Sequence, residues 1–231
     1  MLTYLLLNIG SIAYPLYASF DKRLNFYKKW RYALPGILLT AAFFIFWDII
    51  FTQRGVWSFN EEYLIGLYFY NLPIEEWLFF IAIPFACLFI YEVVKYYFPN
   101  PEFNISLPIV FIVGLLAGLG IVNYDKLYTF YACIFTAGFL LLHYFMFKGK
   151  YLRHFLIAYG FHLIPFLLVN GVLTSLPVVS YNDMHNLQIR IITIPIEDAI
   201  YSMLLLLMNI TFYEILYNKR KPIVSQLVKQ L

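Results

Sequence analysis

Two pairs of adjacent acids stand at the starts of apolar runs. Pro73-Ile74-Glu75-Glu76-Trp77-Leu78-Phe79-Phe80 opens the longest run, which continues through Tyr91, and Pro195-Ile196-Glu197-Asp198 opens the last one, 122 positions downstream. At bilayer depth a carboxylate costs roughly 2.5 to 3.5 kcal/mol on insertion scales, so acids there usually mark a site. A proline at the first helical position followed by acids also suits a plain helix start, since the missing N–H needs no partner and the dipole favours negative charge. That reading does not explain why the arrangement occurs twice. A carboxyl kept protonated by burial can act as a general acid. Helical spacing sets Glu75 over Phe79, Glu76 over Phe79 and Phe80, and Glu197 over Tyr201. Aromatic faces stabilise cations, most strongly when dry. A proton donor in such surroundings suits protonation of an alkene and shielding of the resulting carbocation. With 21% aromatics in the chain, an ordinary interfacial belt accounts for many of these rings.

The elements that must carry these acids are membrane helices. The chain is 62% hydrophobic and 13% charged, too apolar for a soluble domain of this length. At about 20 residues per crossing, the polar breaks leave seven spans: Leu2 to Phe20, Tyr32 to Phe51, Pro73 to Phe98, Ile105 to Val122, Leu127 to Phe147, Leu152 to Thr174 and Pro195 to Tyr217. The N-terminal run has no basic leader or small-residue cleavage pattern and reads as the first span. Lys22, Arg23, Lys28, Lys29 and Arg31 follow the first span, and Lys95 ends the third. Lys148, Lys150 and Arg153 follow the fifth, and Lys219, Arg220, Lys221 and Lys229 follow the seventh; the other side has only Arg54, Lys126 and Arg190. This places the protein in the cell membrane as a multi-pass chain, N-terminus outside and C-terminus cytoplasmic. Membrane lipid is therefore an expected partner. Nucleic acid is not, because the charges are scattered over separate loops without a binding module.

The offset of 122 extends beyond the acids. Thr52, Val56, Ser58 and Asn60 meet identical residues at Thr174, Val178, Ser180 and Asn182; Phe59 becomes Tyr181, Asp48 becomes Asn170, and Tyr91-Glu92 becomes Tyr213-Glu214. The fold expected is an all-α membrane protein with seven transmembrane helices, arranged as two parallel three-helix repeats plus a connecting helix. Residues 1–98 form the first repeat, 99–126 the connector, and 127–231 the second repeat with a basic cytoplasmic tail. Equivalent acids then share one face, with a cavity between the repeats toward the outer leaflet. Asp48, beside Trp47 at the outer end of the second span, joins the candidates, with Trp57 as an interfacial aromatic in the following loop.

Other features carry less. Pro84 and Pro165 are expected to kink their helices. Gly114 and Gly118 form G-x-x-x-G, which serves close packing within the molecule or between two copies as a homo-oligomer. Cys87 and Cys133 read as packing residues, and His143, His154, His162 and His185 show no metal-ligand spacing. No nucleotide-binding signature and no Asp-rich diphosphate site accompany the acids. The chemistry expected is cofactor-free acid–base chemistry, with no metal.

Pro-Ile-Glu-Glu-Trp-Leu-Phe-Phe after an Asn-containing loop, with Phe85 to Glu92 closing the span, resembles the lycopene cyclase domain of heterodimer-type carotenoid cyclases, here in tandem single-chain form. The resemblance covers essentially the whole chain. It implies cyclisation of the ψ-ends of lycopene, or a related acyclic carotenoid, to β-rings through γ-carotene to β-carotene without net redox change. By motif position it implies acid or base roles for Glu75 and Glu197, with Glu76 and Asp198 as their partners and Asp48 orienting or receiving a proton. The substrate contacts expected are Trp47, Trp57, Phe79, Phe80 and Tyr201, with Asn60, Asn170 and Asn182. On this reading Glu75→Gln and Glu197→Gln impair cyclisation without loss of the folded protein. The alternative is a small-solute or proton-coupled transporter, since parallel repeats and intramembrane acids also suit transport. A retinal receptor is disfavoured, because Pro195 to Tyr217 contains no lysine.

Overall fold

In the computed structural model, which describes residues 2–219, the apolar runs become seven α-helices. They are α1 (Thr3–Ala18), α2 (Trp30–Gln53), α3 (Ile74–Tyr97), α4 (Ser106–Val122), α5 (Leu127–Phe147), α6 (Leu152–Ser175) and α7 (Ile196–Lys219). The basic tail beyond Lys219 lies outside the described residues. At 1.5 Å per residue the 24-residue helices α2, α3, α6 and α7 are about 36 Å long. Five helices, α2, α3, α5, α6 and α7, are long and apolar enough to cross a membrane. α1 and α4, with 16 and 17 residues, are shorter than the spans expected from sequence. After Ser19 the bonding of α1 tightens, with Phe20 N–H donating to the Tyr17 carbonyl and Asp21 N–H to the Ala18 carbonyl, and Asn25 then takes a left-handed conformation before α2.

The two acid pairs begin helices, but not with proline at the first helical position. Pro73 ends β3 (Leu72–Pro73), which pairs with β2 (Tyr68–Phe69), so Pro73 is extended at φ −63° and ψ 149° and Ile74 starts the helix. Pro195 likewise ends β6 (Ile194–Pro195), paired with β5 (Arg190–Ile191). A hairpin thus feeds each acidic turn, and proline ends its short strand without a missing ladder donor. The hairpin tips, Tyr70 and Ile192, both have positive φ.

Helix packing interlocks the halves. α1 packs on α3 and α5 on α7, while α2 packs on α7 and α6 on α3. α4 lies against α5. Between the halves, β1 (Trp57–Phe59) pairs antiparallel with β4 (Val179–Tyr181), with Ser58 opposite Ser180. Ser58 and Ser180, 122 apart, face each other, and the Trp57–Tyr181 and Phe59–Val179 pairs on either side exchange repeat positions, as a local two-fold requires. The flanking bonds are reciprocal: the Asn60 N–H donates to the Val178 carbonyl at 3.0 Å and the Asn182 N–H to the Val56 carbonyl at 2.9 Å. At the far ends of α3 and α7 the Tyr91 hydroxyl donates to Glu214 and the Tyr213 hydroxyl to Glu92, at 2.9 and 2.8 Å. Lys95 bridges both carboxylates, and Lys29 also binds Glu92.

Candidate functional site

The two acids of each pair have different tasks. Adjacent helical residues point about 100° apart, so one faces the loop and the next faces the interior. Glu75 Oε1 accepts the Ile65 N–H at 2.6 Å, and Glu197 Oε1 accepts the Leu187 N–H at 2.7 Å and the Thr129 hydroxyl at 2.6 Å. Ile65 and Leu187 are themselves 122 apart, so the same latch fastens both hairpin loops. The Oε2 atoms of Glu75 and Glu197 are buried without a hydrogen-bond partner among the described residues.

Glu76, Asp198 and Asp48 instead line one cavity of about 500 Å³ between the halves. The Tyr4 hydroxyl donates to Glu76 at 2.5 Å, and the Tyr201 hydroxyl donates to Asp48 at 2.7 Å. Asp198 accepts two phenols, Tyr128 on Oδ1 at 2.7 Å and Tyr181 on Oδ2 at 2.9 Å. Asp48 and Glu76 share this cavity, each holding its own phenol. Burial first, and then the Asp198 carboxylate, hold the Tyr181 phenol well above its usual range, so it stays a donor. Apart from these acids and phenols the walls are mostly carbon, with Trp57, Phe59, Phe79 and Phe166 among them.

Of the substrate contacts expected from sequence, Trp57, Phe79, Asn170 and Tyr201 line the cavity. The other four lie outside its lining. Trp47 packs behind Tyr201 with ring centroids 5.1 Å apart, and Phe80 stacks on Phe44. Asn60 and Asn182 cap short 3₁₀ turns by accepting the Glu62 and Met184 N–H groups, because an Asn side chain mimics the missing turn acceptor. The sequence reading missed Tyr4, Tyr128, Tyr181 and His162 as cavity residues. Tyr4 and Tyr128 bind the second acid of each pair, yet they are 124 positions apart, not 122. Between the first and second helix of each repeat the spacing changes by two residues, which an ungapped comparison hides. His162 Nδ1 lies 3.3 Å from the Cys87 sulfur, inside the cavity wall.

The cavity is not symmetric. Asp48 and Tyr201 bond to each other, while the residues at their repeat positions are Asn170 and Phe79, which cannot form an acid–phenol pair. Among the described residues no group of three or more His, Cys, Asp or Glu side chains is placed to hold a metal ion.

A family model described as lycopene cyclase matches the chain in two segments, residues 1–94 and 125–216. The first segment takes in α1 to α3 up to Val94 and the second α5 to α7 up to Leu216; their starts are 124 apart and their ends 122, the two offsets found in the site. No curated protein and no solved structure matches the chain.

Proposed function

The chain belongs to the lycopene cyclase family, a carotenoid-cyclising family, and from that membership we propose that it closes the ψ-ends of lycopene to β-rings, through γ-carotene to β-carotene, in a membrane it spans seven times. The observation that carries this reading is the convergence of Asp48, Glu76 and Asp198 on one apolar, aromatic cavity. The match gives the transporter reading no support.

Asp48 and Glu76 share one mostly apolar cavity, where two negative charges would repel, so a proton held by one of them is favoured. This pair is the proton donor to the terminal double bond. The neighbouring alkene attacks the tertiary cation and forms the ring C–C bond. Asp198, which accepts two phenols as an anion does, takes the ring proton. One proton enters and one leaves, so the reaction is a redox-neutral isomerisation. Trp57 and Phe79 face the cation during the step. Glu75 and Glu197, assigned the acid or base role by motif position, act one step away: they latch the loops and set the first turns from which Glu76 and Asp198 project.

Residues 1–98 are the first repeat, residues 99–126 the connector, and residues 127–231 the second repeat, parallel to the first, with the cytoplasmic tail. The basic ends of α2 and α3, with Lys29 and Lys95, lie in the cytoplasm and the carboxylate cavity faces the outer leaflet. The test is expression in a bacterial host that accumulates lycopene, followed by chromatography of the pigments. Conversion to monocyclic or bicyclic carotene is expected. Unchanged lycopene, with the protein present in the membrane, would remove the cyclase reading.

A further inference from the structure

The carboxylate cavity is the end of a longer groove. Its wall follows α3 from Glu76 to Ile90, about 21 Å at 1.5 Å per residue. At Tyr14, Phe89 and Ile90 a second cavity of about 540 Å³ adjoins it and continues to Phe98. Together they run about 33 Å along α3, close to the roughly 30 Å of a hydrocarbon core. Gly10, Tyr14 and Leu168 line the first cavity and are exposed, so the groove opens sideways between α1 and α6.

The repeat allows the same groove a second time, among α5, α7 and α2. There it is filled. Ser11, Pro165 and Val169 of the groove correspond, at offsets of 124 and 122, to Phe135, Phe43 and Trp47. These three rings pack on one another: Trp47 and Phe135 have centroids 5.2 Å apart, Phe43 and Phe135 5.8 Å, and Phe43 and Trp47 5.9 Å. Small or aliphatic residues on one side are thus replaced by an aromatic plug on the other.

We infer that this chain has one substrate groove, between α1, α3 and α6, which seats the unreacted half of a linear polyene while its reacting end lies among Asp48, Glu76 and Asp198; the equivalent groove is closed by the Trp47–Phe43–Phe135 plug. The inference rests on the cyclase reading for its occupant. The occupant is a long apolar rod because the groove is long, mostly apolar from the acids to Ile90, open toward lipid and continuous with the acids, with Asp21 and Arg23 lining only the second cavity at its far end.

The test transplants the plug into the groove, as Ser11→Phe with Val169→Trp. Gly10→Phe is the second variant: a Cβ at Gly10 meets nothing within 4 Å, so the added ring occupies space and not packed atoms. Purified protein from lycopene-accumulating cells is assayed for bound carotenoid by absorbance and the cells for ring products, with yield and monodispersity checking the fold. Bound lycopene and ring products are both expected to fall more than tenfold in each variant. Folded variants that bind and cyclise within twofold of wild type would overturn the groove, as would variants that keep bound lycopene while losing only the products. Wild type that binds lycopene, loses it on filling the groove and forms no ring would sink the cyclase reading and leave the groove standing.

Discussion

At the scale of single residues, the division between neighbouring acids decides which carboxylates can touch a substrate. Glu76 and Asp198 reach the cavity with Asp48, whereas Glu75 and Glu197 are spent on loop N–H groups. Asp48→Asn, Glu76→Gln and Asp198→Asn should each lower ring formation about 100-fold or more, the usual scale of general acid–base catalysis, with the protein still folded in the membrane. Glu75→Gln and Glu197→Gln keep an oxygen that can accept the Ile65 or Leu187 N–H, so their loss should stay below about tenfold. Pigment analysis across the five variants checks this, and the reverse ranking would return the catalytic role to Glu75 and Glu197. The acid pairs were legible because acids at the start of an apolar run are costly and occur twice. Their division of labour was not, since it depends on how each helix is rotated against its neighbours.

At the scale of elements, α3 and α7 are held at both ends by contacts that exchange the halves. At the end away from the acids, Glu92 is 3% exposed and accepts the Tyr213 hydroxyl while facing Lys29 and Lys95. Removing one member of a buried ionic cluster leaves its partners unpaired, which costs about 3 to 5 kcal/mol. The two lysine side chains are about a quarter exposed, so water offsets part of this and the lower figure applies. Glu92→Ala should therefore lose about 3 kcal/mol, seen as a clearly lower Tm by thermal denaturation in detergent; a Tm equal to wild type would show that the cluster does not hold the helices. The helices themselves were readable to within two residues at every end, because each is a long apolar run between polar breaks. The short strands were not. Strands of two or three residues carry no periodic signal, and β1 finds β4 across more than a hundred residues through the two-fold relation. The repeated Ser58 and Ser180 were visible in the sequence, but not that they face each other.

At the scale of the whole molecule, two near-copies enclose one asymmetric site. Asp48 faces Tyr201 where its counterpart Asn170 cannot act as an acid, and the plug fills one of two equivalent grooves. On the proposed reading, duplication supplies two walls of one cavity and not two independent centres. A single groove holds a linear polyene in one direction at a time, so closing the second ring requires the monocyclic intermediate to leave, reverse and return. γ-Carotene should therefore exchange with the surrounding membrane between the two cyclisations. In membranes containing the protein and isotopically labelled lycopene, an excess of unlabelled γ-carotene should leave label in γ-carotene and cut labelled β-carotene severalfold. Two working sites that hold one molecule throughout would pass label to β-carotene whatever the added pool. Labelled β-carotene that is indifferent to added γ-carotene would thus contradict a single groove, whereas dilution in proportion to the pool follows from one cavity, one acid pair and one base serving both ends in turn.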